Sequence, residues 1–271
     1  MMEKANINGV ELEYEVQGSG EPVLLISTGP ITDSFLPLMS EEALAGRNRL
    51  IRYRQRQLDR GNGRRPVSFA EHAADAAALL DHLGVRRAHV AGHSTGAIIA
   101  LELAVARPDL VNSLALLEPP LPAVRSAEAF FAKVRPAFEA YGSGDGDGAM
   151  ARFLSAVSSL DWETCRTVID QYVPGGVAKA MKNADNLFES YLPALQGWEF
   201  RPEQASSVVQ PMLSVLGTDT EQLFVDGDEL LHRWFPQIED CRIDGAAHLL
   251  HMQRPEPIAR GVAAFFAGHP M

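Results

Sequence analysis

Val90-Ala91-Gly92-His93-Ser94-Thr95-Gly96-Ala97 is the stretch whose reading decides the fold. The apolar run from Ala88 to Ala91 before it reads as a short buried strand. The run from Thr95 to Ala106 after it reads as a helix, stopped by Arg107-Pro108. Between them lies G-x-S-x-G, the pattern of a strand that turns directly into a helix. Side chains at Gly92 and Gly96 would collide with neighbouring backbone in so tight a turn. The turn leaves Ser94 exposed above the strand end. The helix behind it brings free N–H groups and the positive end of its dipole close to the serine hydroxyl.

Outward from this turn, strands and helices alternate. Towards the N-terminus, Val10, Leu12, Tyr14 and Val16 alternate with polar residues, a strand with one wet face. Asn8-Gly9 before it signals a hairpin turn. Residues 22–27, PVLLIS, form an apolar run suited to a strand buried on both faces. Leu50, Ile51 and Tyr53 suggest another strand. Ser68-Phe69-Ala70-Glu71 is a capping box opening a helix to Leu83, with Gly84 at its end. Further strands are expected at Leu114–Leu117, Pro211–Leu216 and Ile238–Ile243, and helices at Leu230–Phe235 and Pro255–Ala267, the latter stopped by Gly268. The alternation predicts an α/β fold with a mostly parallel, doubly wound sheet. From Pro120 to Ser207 it lapses into helical sequence with no convincing strand. The expected division is a core of 1–119 and 208–271 and a helical insertion of 120–207 over one end of the sheet.

Composition narrows the function classes. The 271 residues carry 24 basic and 35 acidic side chains, a formal net charge of −11. That balance argues against nucleic acid as a partner. No apolar run is long enough for a membrane helix. The charged, alternating start lacks the apolar region of a signal peptide, so a cytoplasmic chain is expected. Cys165 and Cys241 lie outside any zinc-site spacing and read as two free thiols. The Gly142–Gly148 stretch lacks the ligand spacing and closing glutamate of a calcium loop and reads as a surface turn. Neither a metal nor a cofactor is expected.

The N-terminal hairpin, the PVLLIS strand, the GHSTG turn, the insertion and the segment GAAHLLHMQRPEPIARGVAAFF at 245–266 together resemble the α/β-hydrolase superfamily over essentially the whole chain. The resemblance implies an α/β-hydrolase fold with a helical cap and Ser94 as nucleophile. It makes His248, after a strand and before a helix, the general base. His251 is a rival three residues on, expected on the following loop. His93 is expected to point away from Ser94. His72, His82 and His232 read as surface or packing residues on helices, and His89 as core or edge. The acid has two candidates. The family often places it as G-x-x-D after the strand that follows the cap. Here that region reads Leu216-Gly217-Thr218-Asp219-Thr220, so Thr220 holds the expected position and Asp219 is one residue early. Glu118 follows the strand after the nucleophile helix, the placement used by the fungal zearalenone lactonases. A carboxylate at an apolar strand end is costly unless paired, which favours Glu118. The family rule gives Thr95 one oxyanion-hole N–H. The usual His-Gly pair after the early strand is replaced by Ser27-Thr28-Gly29-Pro30, which aligns Gly29 as the second donor, with Pro30 unable to donate. Glycine there would let backbone approach substrate closely.

The implied chemistry is acyl transfer from a carboxylic ester or lactone through an acyl-enzyme on Ser94. A serine nucleophile argues against the Asp-dependent epoxide hydrolases and dehalogenases of the family. Phe130, Phe131, Phe138, Trp162, Phe188, Tyr191 and Trp198 in the insertion suggest a medium-sized, largely apolar substrate, although most should simply hold the insertion together. The alternatives are a lyase, cyclase or thioesterase on the same scaffold, and a ligand-binding protein with slow turnover. The expected partner is a small molecule, and the chain a monomer or homodimer. Eight of the 20 arginines lie between Arg47 and Arg65, either a cationic rim for an anionic substrate or a solvated loop.

Overall fold

The structure, a computed structural model, describes residues 2–57 and 65–271. Its strands are β1 (Glu3–Ile7), β2 (Val10–Gln17), β3 (Glu21–Ile26), β4 (Asn48–Tyr53), β5 (Ala88–His93), β6 (Val111–Leu117), β7 (Met212–Gly217) and β8 (Glu239–Ile243). They form one sheet in the order β1-β2-β4-β3-β5-β6-β7-β8. β1 and β2 pair antiparallel through Asn8-Gly9, both at positive φ (48° and 81°), as a two-residue hairpin turn demands. β2 also runs antiparallel to β4, and every later pairing is parallel.

Both faces of the central strands are covered. In β3, Leu24 and Ile26 join one buried cluster while Val23 and Leu25 join another. β6 splits the same way, Leu114 and Leu116 against Ala115 and Leu117. This double burial explains the unbroken apolar runs. The chain leaves β3 for β4 on one side and returns through β5 on the other. The carboxyl ends of β3 and β5 therefore flank a switch in strand order, where open α/β sheets leave a crevice.

Between β6 and β7 the structure is helical, as expected, with helices Ala127–Gly142, Gly146–Ser158, Trp162–Tyr172, Gly176–Lys182 and Pro202–Ser207. A π-turn, Leu187–Tyr191, interrupts the helical run between Ala184 and Gln196. Phe130, Leu154 and Tyr191 from this segment share a hydrophobic cluster with Leu24 of β3 and Ile98 of helix Thr95–Ala106. The Gly/Asp stretch is less loop-like than its sequence suggested. Asp145 accepts a hydrogen bond from Gly148 N–H (2.9 Å) and caps a helix that begins at Gly146. Helix Gln222–Trp234 starts eight residues earlier than its sequence indicated, and Gly268 lies inside the last helix rather than after it. Among the described residues, no helix is long and apolar enough to cross a membrane.

Four arginines of the stretch between Arg47 and Arg65 pair with carboxylates. Arg52 is a buried residue of β4 that pairs with Asp33 (2.6 Å) and Glu15 (2.7 Å). Arg54 pairs with Asp33 and Glu13, Arg56 with Asp75, and Arg65 with Glu71. These charges are committed to carboxylates of the same chain. Arg60 and Arg64 lie outside the described residues.

Candidate active site

The turn after β5 supplies Ser94. Its backbone sits at φ 55°, ψ −125°, a conformation that a non-glycine residue adopts only when its surroundings impose it. The two glycines make that possible. A Cβ on Gly92 would lie 2.3 Å from Gly96 O, and one on Gly96 would lie 2.1 Å from Ile26 O. The 12-residue helix Thr95–Ala106 starts directly after the serine and aims its N-terminus at that point. Ser94, His248, Thr28, Thr95 and Pro30 line one cavity. Phe130, Phe153, Leu154, Leu187, Tyr191 and Leu195 of the helical segment roof it. Its volume is about 40 Å³, room for a few waters.

His248 lies on the loop after β8, and Glu118 directly after β6. Their side chains meet, His248 Nδ1 to Glu118 Oε2, at 2.7 Å. Both are buried, at 3% and 1% exposure. Glu118 also has a strained backbone, φ 47°. Gly217 N–H donates to its Oε1 (2.9 Å) and the Thr220 hydroxyl to its Oε2 (2.9 Å). Burial pushes the Glu118 carboxyl up, and the Gly217 and Thr220 donors offset only part of that rise. Burial likewise pushes the His248 imidazole down, favouring its neutral form. Phe224 stacks flat on the imidazole, with centroids 4.0 Å apart and planes 7° apart.

Asp219, the other acid candidate, stands in an exposed turn and accepts from the neighbouring Thr218 hydroxyl (3.1 Å). Thr220, at the position where the family pattern expects the acid, instead hydrogen-bonds Glu118. The structure thus brings the two halves of the ambiguous sequence together at one carboxylate.

The other histidines divide. His93 is fully buried, and its Nε2 lies 2.9 Å from the His248 backbone carbonyl, tying the β5 turn to the histidine loop. His251 is not on a loop but in a short buried helix, Leu250–Gln253, its ring 4.1 Å from that of His93. His72 is buried and stacks on Tyr191 at 5.1 Å. His89 is core, bonded to Ser113 and stacked on Phe266. His82 is exposed. His232 joins Asp228 and Asp240, where Arg242 already supplies a cation to both carboxylates.

At the loop after β3, the Thr28 and Thr95 hydroxyls lie 3.2 Å apart, so the two segments assigned to oxyanion binding adjoin. Gly29 has a different reason to be glycine from the one its sequence suggested. A Cβ there would lie 2.5 Å from the Tyr191 ring. A side chain of the helical segment, rather than open space for a substrate, occupies that position. Sequence reasoning missed Gln55 and Phe224 as parts of the site. It placed Tyr191 only among the apolar residues of the insertion, and Thr220 left a signal by standing at the family's acid position.

A sequence model described as the alpha/beta hydrolase fold matches residues 26–255. A protein of Azorhizobium caulinodans named "Putative carbamate hydrolase RutD" is 41% identical over 117 residues, 43% of this chain and 44% of that protein. Here the chain spans less than half of the relative's length. A Bacillus subtilis protein named "Uncharacterized hydrolase YugF" is 25% identical over 192 residues, 69% of this chain and 68% of that one. Two solved structures share the fold. One, Est816, described as an N-acyl homoserine lactone degrading enzyme, has a TM-score of 0.72 at 22% identity and covers 97% of this chain and 100% of its own. The other, naproxen esterase from Bacillus subtilis, has a TM-score of 0.73 at 17% identity, with coverages of 98% and 91%.

Proposed function

Because the chain belongs to the α/β-hydrolase family, we propose that it is a serine hydrolase cleaving a carboxylic ester or lactone, with Ser94, His248 and Glu118 as its catalytic residues. The observation that carries this reading is the buried contact between Glu118 and His248, with His248 and the strained Ser94 lining one cavity. Gly217 N–H and the Thr220 hydroxyl both donate to Glu118, which suits a carboxylate accepting Nδ1–H from His248. That tautomer leaves the Nε2 lone pair free as the base. Ser94 Oγ attacks the carbonyl carbon as its proton passes to His248 Nε2. The oxyanion is met by the Thr95 N–H at the start of a helix and the Gly29 N–H of the loop after β3. The protonated imidazole then gives its proton to the leaving alcohol. Water, deprotonated by the same nitrogen, releases the acid.

Residues 120–207 act in this reading as a cap over a core of 1–119 and 208–271. The cavity lining of Phe130, Phe153, Leu187 and Leu195 suits an apolar acyl or alcohol group. At about 40 Å³ the closed cavity is too small for a medium-sized ester, so such a substrate enters as the cap helices part. A carbamate presents the same kind of carbonyl, and the name of the Azorhizobium relative puts one in the test panel.

The test is turnover of p-nitrophenyl acetate, a lactone and a carbamate by wild type and three variants. Ser94→Ala should lower kcat by roughly 10⁵-fold or more, and Glu118→Gln by roughly 10³ to 10⁴. Asp219→Asn should stay within about twofold of wild type, as an exposed residue away from the reacting atoms would. Collapse in Asp219→Asn with survival in Glu118→Gln would reject the acid assignment.

A further inference from the structure

The loop that carries Gly29 is held from above by the cap. The Tyr191 ring fills the space that a Cβ on Gly29 would need, 2.5 Å away. The Tyr191 hydroxyl donates to Gln55 Oε1. Gln55 in turn donates from Nε2 to the Ser27 carbonyl at 2.7 Å, two residues before Gly29. Tyr191 and Gln55 are both buried, at 1% and 4% exposure, so neither bond competes with bulk water. His72 stacks on the back of the Tyr191 ring and keeps it from turning away. The tyrosine ends a π-turn, a backbone irregularity that recurs at functional sites.

We propose that Tyr191 is a positioning residue which, through its ring on Gly29 and its hydroxyl on Gln55, fixes the backbone that presents the second oxyanion donor. The inference rests on the reading of Gly29 as that donor and of Ser94 as the nucleophile. It adds that cap and oxyanion hole are one mechanical unit. A cap displaced by substrate entry releases the Gly29 loop, and the donor is realigned when Tyr191 returns. Tyr191 acts on the barrier to chemistry through backbone placement, and its hydroxyl touches no substrate.

The test uses a fluorophosphonate, which Ser94 would attack at phosphorus as fluoride departs and the serine proton passes to His248. Its P=O oxygen occupies the oxyanion position, so kinact reports alignment there and KI reports binding. Tyr191→Phe keeps the ring and removes the bond to Gln55. Gln55→Met keeps the volume and removes the bond to Ser27. Each should lower kinact roughly tenfold, less than the roughly hundredfold loss from removing a donor outright. Each should leave KI within about twofold. The double variant should lose no more than either single one, because both break one strut. Unchanged kinact in Tyr191→Phe, or a change confined to KI, would overturn the positioning role while leaving wild-type labelling of Ser94 intact. No labelling of folded wild type, with Ser94→Ala as the blank, would instead overturn the serine reading and this proposal with it.

Discussion

Ser94 and Glu118 both hold positive φ, at 55° and 47°. Neither is glycine, asparagine or aspartate, so each conformation costs about 1–3 kcal/mol and must be imposed by its neighbours. Glu118 contacts His248, and Ser94 lines the same cavity as that histidine, so the strain gathers where geometry is worth stability. Ser94 was legible because its glycines form a pattern within five residues. Glu118 was legible because a charge at the end of an apolar strand needs a partner. Thr220, Phe224, Gln55 and Tyr191 were not, because their roles depend on contacts such as Thr220 to Glu118 and Tyr191 to Gln55, between residues more than 100 positions apart. Thr220→Val should remove one donor from Glu118 and lower kcat roughly tenfold, the cost of one hydrogen bond to a charged group, as measured on p-nitrophenyl acetate. In the proposed mechanism His248 must be neutral and Glu118 ionised, so activity is lost as pH falls through the titration of this buried pair. Burial pushes the His248 value down and the Glu118 value up, so the acid limb of kcat/KM belongs to the pair and should move in Glu118→Gln, which removes one of its two titrating groups. An acid limb unchanged in Glu118→Gln would argue against their coupling.

The tight turn between β5 and its helix leaves no room for change. A methyl group on Gly96 would overlap the Ile26 carbonyl of β3 at 2.1 Å. That oxygen is backbone and cannot turn aside, so Gly96→Ala should destabilise the fold by about 3 kcal/mol or more, visible as a lower urea midpoint. Among the elements, helix Thr95–Ala106 was read to its last residue, because Arg107-Pro108 gives an unambiguous stop. Helix Gln222–Trp234 was read only in its last turns. Asp226, Gly227 and Asp228 interrupt its apolar pattern, and in the fold Asp226 and Asp228 are buried with Gln222, Ser214 and Arg242 as partners. The π-turn at Leu187–Tyr191 has no signature of its own in the sequence. Pro193, which has no N–H to offer the preceding turn, is the one residue that bears on it.

Across the whole molecule, Asp33 joins the sheet to the helical segment between β6 and β7. Its buried carboxylate takes Arg52 and Arg54 from the β4 region and Lys179 from helix Gly176–Lys182 (2.7 Å). Burial opposes ionisation of Asp33, but Arg54, Lys179 and Arg52 outweigh it and hold the carboxyl well below the usual carboxylate range. A depressed value contributes stability that is present above the unfolded value near 4 and lost as pH falls towards the folded one. Wild type should therefore lose stability below about pH 4, and Asp33→Asn should show a shallower acid dependence from a baseline about 3–5 kcal/mol lower. Equal acid slopes in the two proteins would rule out this contribution. Sequence composition pointed to an arginine-rich surface because counting cannot tell an exposed guanidinium from one folded onto a carboxylate. The alternation of strands and helices, and the place where it lapsed, were legible because burial on both faces of a parallel sheet writes itself as continuous apolar runs.

The central claim is that one buried relay, Glu118 to His248, activates Ser94. The measurement that tests it most directly is fluorophosphonate labelling of wild type, Ser94→Ala and Glu118→Gln, with the modified peptide identified by mass spectrometry. The account predicts one phosphonyl group on Ser94 in wild type, none in Ser94→Ala, and labelling slowed by at least roughly a hundredfold in folded Glu118→Gln. A folded wild type that takes no label, or takes it on another residue, would contradict the account.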